Sequence, residues 1–173
     1  DCNAEGLYRY YVVATNYAQR LVYNGNVPLF MHSLTWIHGH GYKDDSASYS
    51  TALAYTKTRR LQMSCGYWVK FAQQLCAQVG ITARVVSTLT LDTWNSYNNG
   101  HTMLEVYSSG EWKLWDIDLC HYFQQGGVDL NAYDFVQAVN INDYDFIKFS
   151  QSPTIVIGDL MLSGYDYEFW VES

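Results

Sequence analysis

The sequence predicts an α+β domain in which helices pack on an antiparallel sheet. Two observations lead to this prediction. Apolar residues recur every three or four positions in the first part of the chain, whereas β-branched and aromatic runs separated by turn residues fill much of the second part. Helices followed by strands are typical of the α+β class. The 173 residues contain no repeat, low-complexity tract or linker, so residues 1–173 are expected to form one domain.

Two helices are expected in the first third of the chain. One carries its apolar residues over 7–21, and the other runs over 47–54 after possible capping residues at 44–46. Residues 24–42, between the two helices, are interpreted as a loop.

The best-defined helix covers residues 65–79. Its apolar stripe begins directly after Ser64, a preferred N-cap residue, and Gly80 follows as the expected C-terminal cap. Cys65 is the first residue of this helix, while Cys76 belongs to the apolar stripe and is expected in the core.

Most of the strands are expected after this helix. Residues 81–91 are rich in β-branched side chains. Ser109 and Gly110 mark a turn between two strand-like segments, 101–107 and 112–118, which should pair as a hairpin. A short helix and three further strands are expected near 130–139, 145–150, 154–162 and 167–171.

Composition limits the classes of partner. Apolar residues make up 49% of the chain and charged residues 16%, and no apolar run reaches the roughly 20 residues needed to cross a bilayer. A soluble globular domain without membrane insertion is therefore expected. The net charge of -7 predicts repulsion from phosphate backbones, and hence no nucleic-acid partner. The compartment and the oligomeric state stay open.

The cysteines and histidines do not form a recognisable metal motif. No Cys-x-x-Cys pair occurs among Cys2, Cys65, Cys76 and Cys120. His38, His40 and His121 are conceivable ligands, but their spacing matches no known zinc motif. Neither a metal nor a cofactor is expected.

Cys65 has the placement of a nucleophile. At the N-terminus of a helix, unpaired backbone N–H groups and the macrodipole favour the negatively charged thiolate. A nucleophilic cysteine also needs a base that shares its proton and a group that orients this base.

The hairpin supplies both of these groups. If residues 109–110 form a two-residue turn, Tyr107 lies opposite Trp112, and His101 and Asp116 become diagonal neighbours on one face of the sheet. Such neighbours are about 7 to 8 Å apart at the backbone, within reach of their side chains. A loop one residue longer or shorter would place them on opposite faces.

A carboxylate beside His101 would fix the imidazole tautomer and stabilise its cation. Asp116 has the required position in the hairpin. Asp118, two residues further along, competes with it for this role.

Two segments, SCGYWVKFAQQLCAQVGITARVV and GHTMLEVYSSGEWKLWDID, resemble the core of the transglutaminase-like superfamily of papain-type cysteine enzymes, over residues 47–118. The resemblance implies a papain-like fold with the nucleophile at a helix N-terminus. It also implies Cys65 as the nucleophile, His101 as the base and Asp116 as the third member of a triad. The CGYW segment is similar to the peptide N-glycanase branch as well.

The chain departs from the family pattern at three positions. Met63 stands where the family usually has glycine, and Ile117 and Asp118 stand where proline and threonine commonly follow the aspartate. No reacting group is lost, but these changes affect the expected shape of the substrate cleft. The absence of Cys-x-x-Cys pairs argues against the zinc-bearing form of peptide N-glycanase.

An acyl-transfer site also needs hydrogen-bond donors for the oxyanion. One donor is expected from a backbone N–H at the start of the Cys65 helix. Trp36 and Gln62 are candidates for the second donor, and Trp68 is a further possible contact to the substrate. Arg84 is expected to form a structural ion pair or to hydrogen-bond the backbone, with a substrate contact as the alternative. Glu105 could face the cleft but is expected to be an ordinary hairpin residue.

The expected function is acyl transfer on an amide bond by a Cys-His-Asp triad. Hydrolysis of a peptide or isopeptide substrate is preferred, because water needs no second binding site. Transfer to an amine, as in a protein-glutamine transglutaminase, and glycopeptide amidase activity are alternatives. A noncatalytic binding or scaffold domain of a larger protein is a third.

Overall fold

A computed structural model of the chain describes residues 25–89, 100–148, 155–157 and 160–162. None of the helices in these ranges is long and apolar enough to cross a membrane. The described residues form four α-helices: α1 (Val27–Leu34), α2 (Tyr49–Tyr55), α3 (Cys65–Gln78) and α4 (Ala132–Asn140). They also form ten strands: β1 (His38–His40), β2 (Leu61–Met63), β3 (Ala83–Leu89), β4 (Gly100–Ser108), β5 (Glu111–Asp116), β6 (His121–Gln125), β7 (Val128–Asp129), β8 (Asp145–Lys148), β9 (Ile155–Ile157) and β10 (Leu160–Leu162).

The main sheet has six strands and is antiparallel throughout. Its order is β3-β4-β5-β6-β7, and β8 pairs with β6. A second, two-stranded sheet joins β1 and β2 in parallel, and a third joins β9 and β10 as an antiparallel pair. Four helices combined with a mostly antiparallel sheet confirm the predicted α+β class.

Helix α3 packs against β3 and β4 through its apolar stripe. The stripe is buried and consists of Trp68, Val69, Phe71, Ala72, Leu75 and Cys76. Burying a large apolar side chain contributes roughly 1.5–3 kcal/mol, so this face anchors the helix on the sheet. Burial also raises the pKa of the Cys76 thiol to about 12. The prediction that Cys76 is a core residue is confirmed.

The end of α3 is fixed by Gly80. This residue has φ +78°, a conformation that glycine adopts without steric cost. Its N–H donates to the carbonyl of Ala77 at 3.2 Å, and the N–H of Ile81 donates to the carbonyl of Cys76 at 2.9 Å. These two bonds make a Schellman motif, which confirms the predicted C-terminal cap and turns the chain into β3.

The β4–β5 hairpin has the predicted register. Ser109 and Gly110 have φ values of 56° and 89°, as expected for a type I′ two-residue turn. Tyr107 pairs with Trp112. The register therefore places His101 and the end of β5 as the sequence predicted.

Glu105 lies fully buried in β4 and joins two elements. Its carboxylate accepts a bond from Nε of Arg84, and its Oε1 accepts the backbone N–H of Ala132, the first residue of α4, at 2.7 Å. The guanidinium of Arg84 also lies 4.3 Å from the centroid of the Trp112 ring. The predicted ion pair of Arg84 is confirmed, whereas Glu105 is an anchor for α4 and not an ordinary hairpin residue.

The segment 24–42 is not a loop, contrary to the sequence prediction. It contains α1, a short 3₁₀ helix (Thr35–Ile37) and β1. The side chain of Asn26 accepts the N–H of Leu29 at 2.9 Å, and Pro28 occupies the first turn. Asparagine at the N-cap with proline directly after it is a helix-start signal, and it was overlooked.

The capping residues of the second helix were also misassigned. Helix α2 begins at Tyr49, and Ser48 caps it by accepting the N–H of Thr51 at 3.2 Å. Asp44 and Asp45 contact other parts of the chain instead.

Helix α4 lies near the predicted 130–139, and β8 falls within the strand predicted over 145–150. The single strand predicted over 154–162 is wrong, because β9 and β10 lie there as two short strands paired antiparallel. The helix expected over 7–21 and the strand expected over 167–171 lie outside the described residues.

Candidate active site

Cys65 is the first residue of α3 and carries a partly exposed free thiol. Strand β2 leads into it, with only Ser64 between the strand and the helix. Cys76 and Cys120 are buried. Among the described residues, Cys65 is therefore the cysteine that solvent and a substrate reach most easily.

His101 lies near the start of β4 and is held on both its backbone and its ring. Its backbone N–H donates to the hydroxyl of Thr88 on β3 at 3.3 Å, and its carbonyl accepts the same hydroxyl at 3.2 Å. Its ring Nε2 bonds Oδ2 of Asp116 at 2.8 Å. The diagonal contact predicted from the hairpin register is thus present.

Asp116 is the last residue of β5, and its side chain is 4% exposed. While Oδ2 bonds His101, Oδ1 accepts the backbone N–H groups of Asp118 at 3.2 Å and Leu119 at 3.0 Å. Both oxygens are therefore occupied, and the turn after β5 fixes the carboxylate. A fixed carboxylate also fixes the orientation of the imidazole.

The thiol of Cys65 reaches the same imidazole. The pKa of His101 is raised to about 9, mainly by its hydrogen bond to Asp116. Partial burial opposes this rise, while the charge of Asp116 and a hydrogen bond with Cys65 add to it. The structure thus brings Cys65, His101 and Asp116 together.

Asp118 does not contact His101, although it competed with Asp116 in the sequence. Its two carboxylate oxygens lie 3.1 and 2.9 Å from Nδ1 of His40, and its side chain is 2% exposed. Burial raises the pKa of Asp118, and the bond to His40 opposes this rise. The hairpin therefore presents two carboxylates to two different histidines.

His38 lies beside the same carboxylate but is held as a neutral ring. It stacks on Trp68 at 4.3 Å, and its Nε2 donates to the carbonyl of Met63 at 2.9 Å. Burial is the main cause that lowers the pKa of His38 to about 4. The 3.5 Å approach of His38 to Asp118 is therefore not an ion pair at neutral pH.

The three further residues predicted to contact the substrate or oxyanion lie in different environments. Trp68 is fully buried, and its indole N–H donates to the carbonyl of Ile117 at 3.2 Å, which argues against a substrate contact. Gln62 is exposed on β2, so its proposed role stays a prediction. Trp36 belongs to the 3₁₀ helix, and its side chain lies outside the described part of the structure.

Sequence reasoning missed the contact between His40 and Asp118. From the sequence, the HGHGY segment was interpreted only as a possible metal site. Within the described ranges, no group of three or more His, Cys, Asp or Glu side chains is arranged to hold a metal ion. The useful signal was the spacing of His38 and His40, which is that of a strand.

The site lies within the region that matches a known family. The model of the transglutaminase-like superfamily matches residues 31–117, which is about half of the chain. Comparisons with curated proteins and with solved structures give no significant match. The matched region contains the Cys65 helix, the His101 strand and Asp116. The chain therefore belongs to the transglutaminase-like superfamily, whose members in general use a cysteine for acyl transfer or hydrolysis.

Proposed function

We propose that this protein is a cysteine hydrolase that cleaves an amide bond in a peptide or isopeptide substrate. Cys65 acts as the nucleophile, His101 as the acid and base, and Asp116 as the residue that orients His101. The observation that carries the proposal is the position of the His101 ring, whose Nε2 bonds the buried carboxylate of Asp116 and which also interacts with the Cys65 thiol.

The reaction begins with the thiolate of Cys65 and the imidazolium of His101. The sulfur attacks the amide carbonyl carbon and forms a C–S bond, while the carbonyl oxygen takes up negative charge. His101 then donates its proton to the departing amine as the C–N bond breaks, which leaves a thioester on Cys65. The raised pKa of His101, about 9, keeps the ring protonated at neutral pH for this donation.

Water resolves the thioester in the second half of the reaction. His101, now neutral, takes a proton from the water as its oxygen bonds the carbonyl carbon. The C–S bond breaks, the acid product leaves, and the thiolate–imidazolium pair is restored. Asp116 stabilises the cation of His101.

The start of α3 supplies hydrogen bonds for the developing oxyanion. Backbone N–H groups in the first turn of a helix have no partner within the helix and carry partial positive charge. Cys65 and Gly66 are the first two residues of α3, next to the reacting sulfur. Donors of this kind cost no reorganisation when the charge develops.

The experiment is a search for products that depend on Cys65. Wild type and Cys65→Ala are incubated with a panel of peptide, isopeptide and glycopeptide amides, with and without a fluorescent primary amine. Intact-mass measurements follow both substrate and protein. A hydrolysed product or a thioester adduct that appears only with Cys65 supports the proposal.

Two other results would redirect the proposal, and a third would end it. Incorporation of the amine in place of water would identify a transferase, and cleavage only of glycopeptides would identify a glycopeptide amidase. If Cys65 reacts with iodoacetamide at pH 6 no faster than a free thiol, and no product forms, the domain is a binding or scaffold module.

A further inference from the structure

We propose that Asp45 is a positioning residue that keeps the N-terminus of α3 open for the reacting groups. It does so by holding the Ser64 hydroxyl away from the first turn of the helix. This inference rests on the proposed function of Cys65, because an open helix end matters only if negative charge develops there.

Ser64 has the position of an N-cap residue but does not act as one. Its backbone is extended, with φ -70° and ψ 160°, and Cys65 follows as the first residue of the helix. A serine in this position normally accepts the N–H of the second or third helical residue with its side-chain oxygen. Here the side chain makes no such bond to α3.

The hydroxyl of Ser64 is bound by Asp45 instead. Oγ donates to Oδ2 of Asp45 at 2.8 Å, and the backbone N–H of Ser64 donates to Oδ1 at 2.9 Å. A hydrogen bond to a carboxylate is roughly twice as strong as one between neutral groups. The carboxylate therefore outcompetes the helix for this hydroxyl.

The turn that carries Asp45 is itself fixed. The neighbouring Asp44 forms two bonds with the guanidinium of Arg59, at 2.6 and 2.7 Å, and accepts the backbone N–H of Gln62 at 2.9 Å. The backbone N–H of Asp44 donates in turn to the carbonyl of Gln62 at 2.9 Å. Asp45 thus approaches Ser64 from a rigid segment bonded to β2.

The other three α-helices of the described structure are capped in the usual way. In each, the N-cap side chain accepts a backbone N–H from the first turn, and the capping residues are Asn26, Ser48 and Asn131. Ser48 and Ser64 are the same residue type with different outcomes, and only Ser64 has an aspartate that takes its hydroxyl. The difference therefore comes from Asp45 and not from the chemistry of serine.

The open end of α3 favours the reaction because it leaves backbone N–H groups available to the thiolate of Cys65 and to the oxyanion. If the Ser64 oxygen bonded the N–H groups of Gly66 or Tyr67, those donors would be less available to the thiolate and to the oxyanion. The charge of Asp45 itself acts in the opposite direction, because a carboxylate near a thiolate disfavours it. A test must therefore separate the charge of Asp45 from its hold on Ser64.

A double-mutant cycle makes this separation. The rate of Cys65 alkylation by iodoacetamide is measured at pH 6 in wild type, Ser64→Ala, Asp45→Ala and the double variant, with Cys65→Ala subtracted as background. In the presence of Asp45, Ser64→Ala should leave the rate nearly unchanged. With Ala at 45, the freed hydroxyl caps the helix, so removing it should raise the rate about threefold to tenfold. In the second comparison both variants have alanine at position 45. The charge at this position is therefore the same in both and does not contribute to the difference in rate.

Each outcome bears on one of the two proposals. If wild-type Cys65 is activated but Ser64→Ala has the same effect in both backgrounds, the role of Asp45 is wrong and the proposed function stands. If wild-type Cys65 reacts only as fast as a free thiol, both are overturned. A merely structural role of Asp45 would lower the melting temperature without making the alkylation rate depend on Ser64.

A milder variant covers the case in which Asp45→Ala does not fold. Asp45→Asn keeps an oxygen that accepts the Ser64 N–H, but it removes the carboxylate that holds the hydroxyl. The same Ser64→Ala comparison in this background should give a rate increase of the same sign and smaller size. No increase in a folded Asp45→Asn background would overturn the inference.

Discussion

Two histidine–aspartate pairs lie side by side in this protein, and they differ in what the imidazole contacts besides its carboxylate. Asp116 bonds His101 at 2.8 Å, and Asp118 bonds His40 at 2.9 Å. The ring of His101 also interacts with the Cys65 thiol, which helps to raise its pKa. The ring of His40 is 53% exposed, and its Nε2 has no hydrogen-bond partner among the described residues. A carboxylate beside a histidine therefore does not by itself identify a base, and the role proposed for His101 rests on its interaction with Cys65 as well.

The two carboxylates differ as well. Asp116 accepts two backbone N–H groups in addition to the imidazole, so its charge and its orientation are held by the turn after β5. Asp118 is equally buried, but its main polar partner is the half-exposed ring of His40. The bonds of Asp116 are suited to hold the His101 cation in one orientation. The bond of Asp118 to His40 keeps a buried carboxylate from being left unpaired.

The sharpest test of this difference is to remove each ring in turn. His101→Gln should lower kcat/KM by roughly 10³- to 10⁴-fold, because the thiolate loses its proton partner and the departing amine loses its acid. His40→Gln should change it by less than about tenfold, since charges at the exposed rim are screened by salt. Steady-state kinetics on the substrate found with Cys65 would measure both. Equal losses would mean that His40 also takes part in the chemistry.

Replacing the two carboxylates should give the same ranking as replacing the two histidines, with smaller losses of kcat/KM. Asp116→Asn keeps the shape of the side chain but removes the charge that stabilises the His101 cation, so kcat/KM should fall by roughly 10²- to 10³-fold. Asp118→Asn leaves the bonds of Asp116 in place, and its effect should be about tenfold or less. Melting temperatures of both variants serve as the control for folding. A larger loss with Asp118→Asn would contradict the assignment of Asp116.

The pH dependence separates the two pairs further. Since the pKa of His101 is raised to about 9, kcat/KM should fall as the pH rises through about 9, where the acid loses its proton. In Asp116→Asn this limb should move to lower pH, because the hydrogen bond and the charge that raise the pKa are weakened. In His40→Gln it should stay in place. A wild-type limb near the ordinary histidine value of about 6.5 would show that Asp116 does not act on the ring in solution.

The same shift has a consequence for stability. A histidine whose folded pKa is above its unfolded value stabilises the fold fully below the unfolded value, and this contribution disappears as the pH rises through the folded value. For His101, this stabilising contribution should disappear between pH 6.5 and about 9. Urea unfolding should therefore show that His101→Gln lowers the free energy of unfolding more at pH 6 than at pH 9.5. An equal loss at both pH values would contradict the claim that His101 is a stabilised cation in the folded protein.

The sequence was informative wherever the governing rule is local. A Ser-Gly dipeptide sets a two-residue turn, and the alternation of side chains along two strands then places His101 beside Asp116. Helix α3 (Cys65–Gln78) followed from its apolar stripe and from Gly80 just past its end. These rules connect residues that are close in sequence or joined by one turn.

Contacts between segments that are distant in sequence could not be predicted from these local rules. His40 and Asp118 are 78 positions apart, and they meet only because β1 pairs with β2 directly before α3. Asp45 and Ser64 are 19 positions apart, and their bond reverses what the N-cap rule predicts for serine. Local propensity gave the right element for Ser64, whereas β1, which carries His40, was predicted as a loop. In both cases tertiary contacts decided what the side chain does.

His38 offers the smallest and most specific test, because its pKa is shifted in the direction opposite to that of His101. Its folded value of about 4 lies below the unfolded value of about 6.5, so the unfolded chain binds the extra proton between these two pH values. The fold should therefore lose stability as the pH falls from 6.5 to 4. His38→Phe keeps a ring that can stack on Trp68 but loses the bond to the carbonyl of Met63, which still accepts the N–H of Gly41.

The variant should thus be about 1 kcal/mol less stable at pH 7, yet lose less stability on acidification than wild type does. Urea unfolding at pH 7, 5.5 and 4.5 measures both effects, with His40→Gln as the control at the exposed ring. If wild type and His38→Phe lose the same stability between pH 7 and 4.5, His38 is not the buried neutral ring that packs between Asp118 and Trp68. Its role beside the second carboxylate would then have to be assigned again.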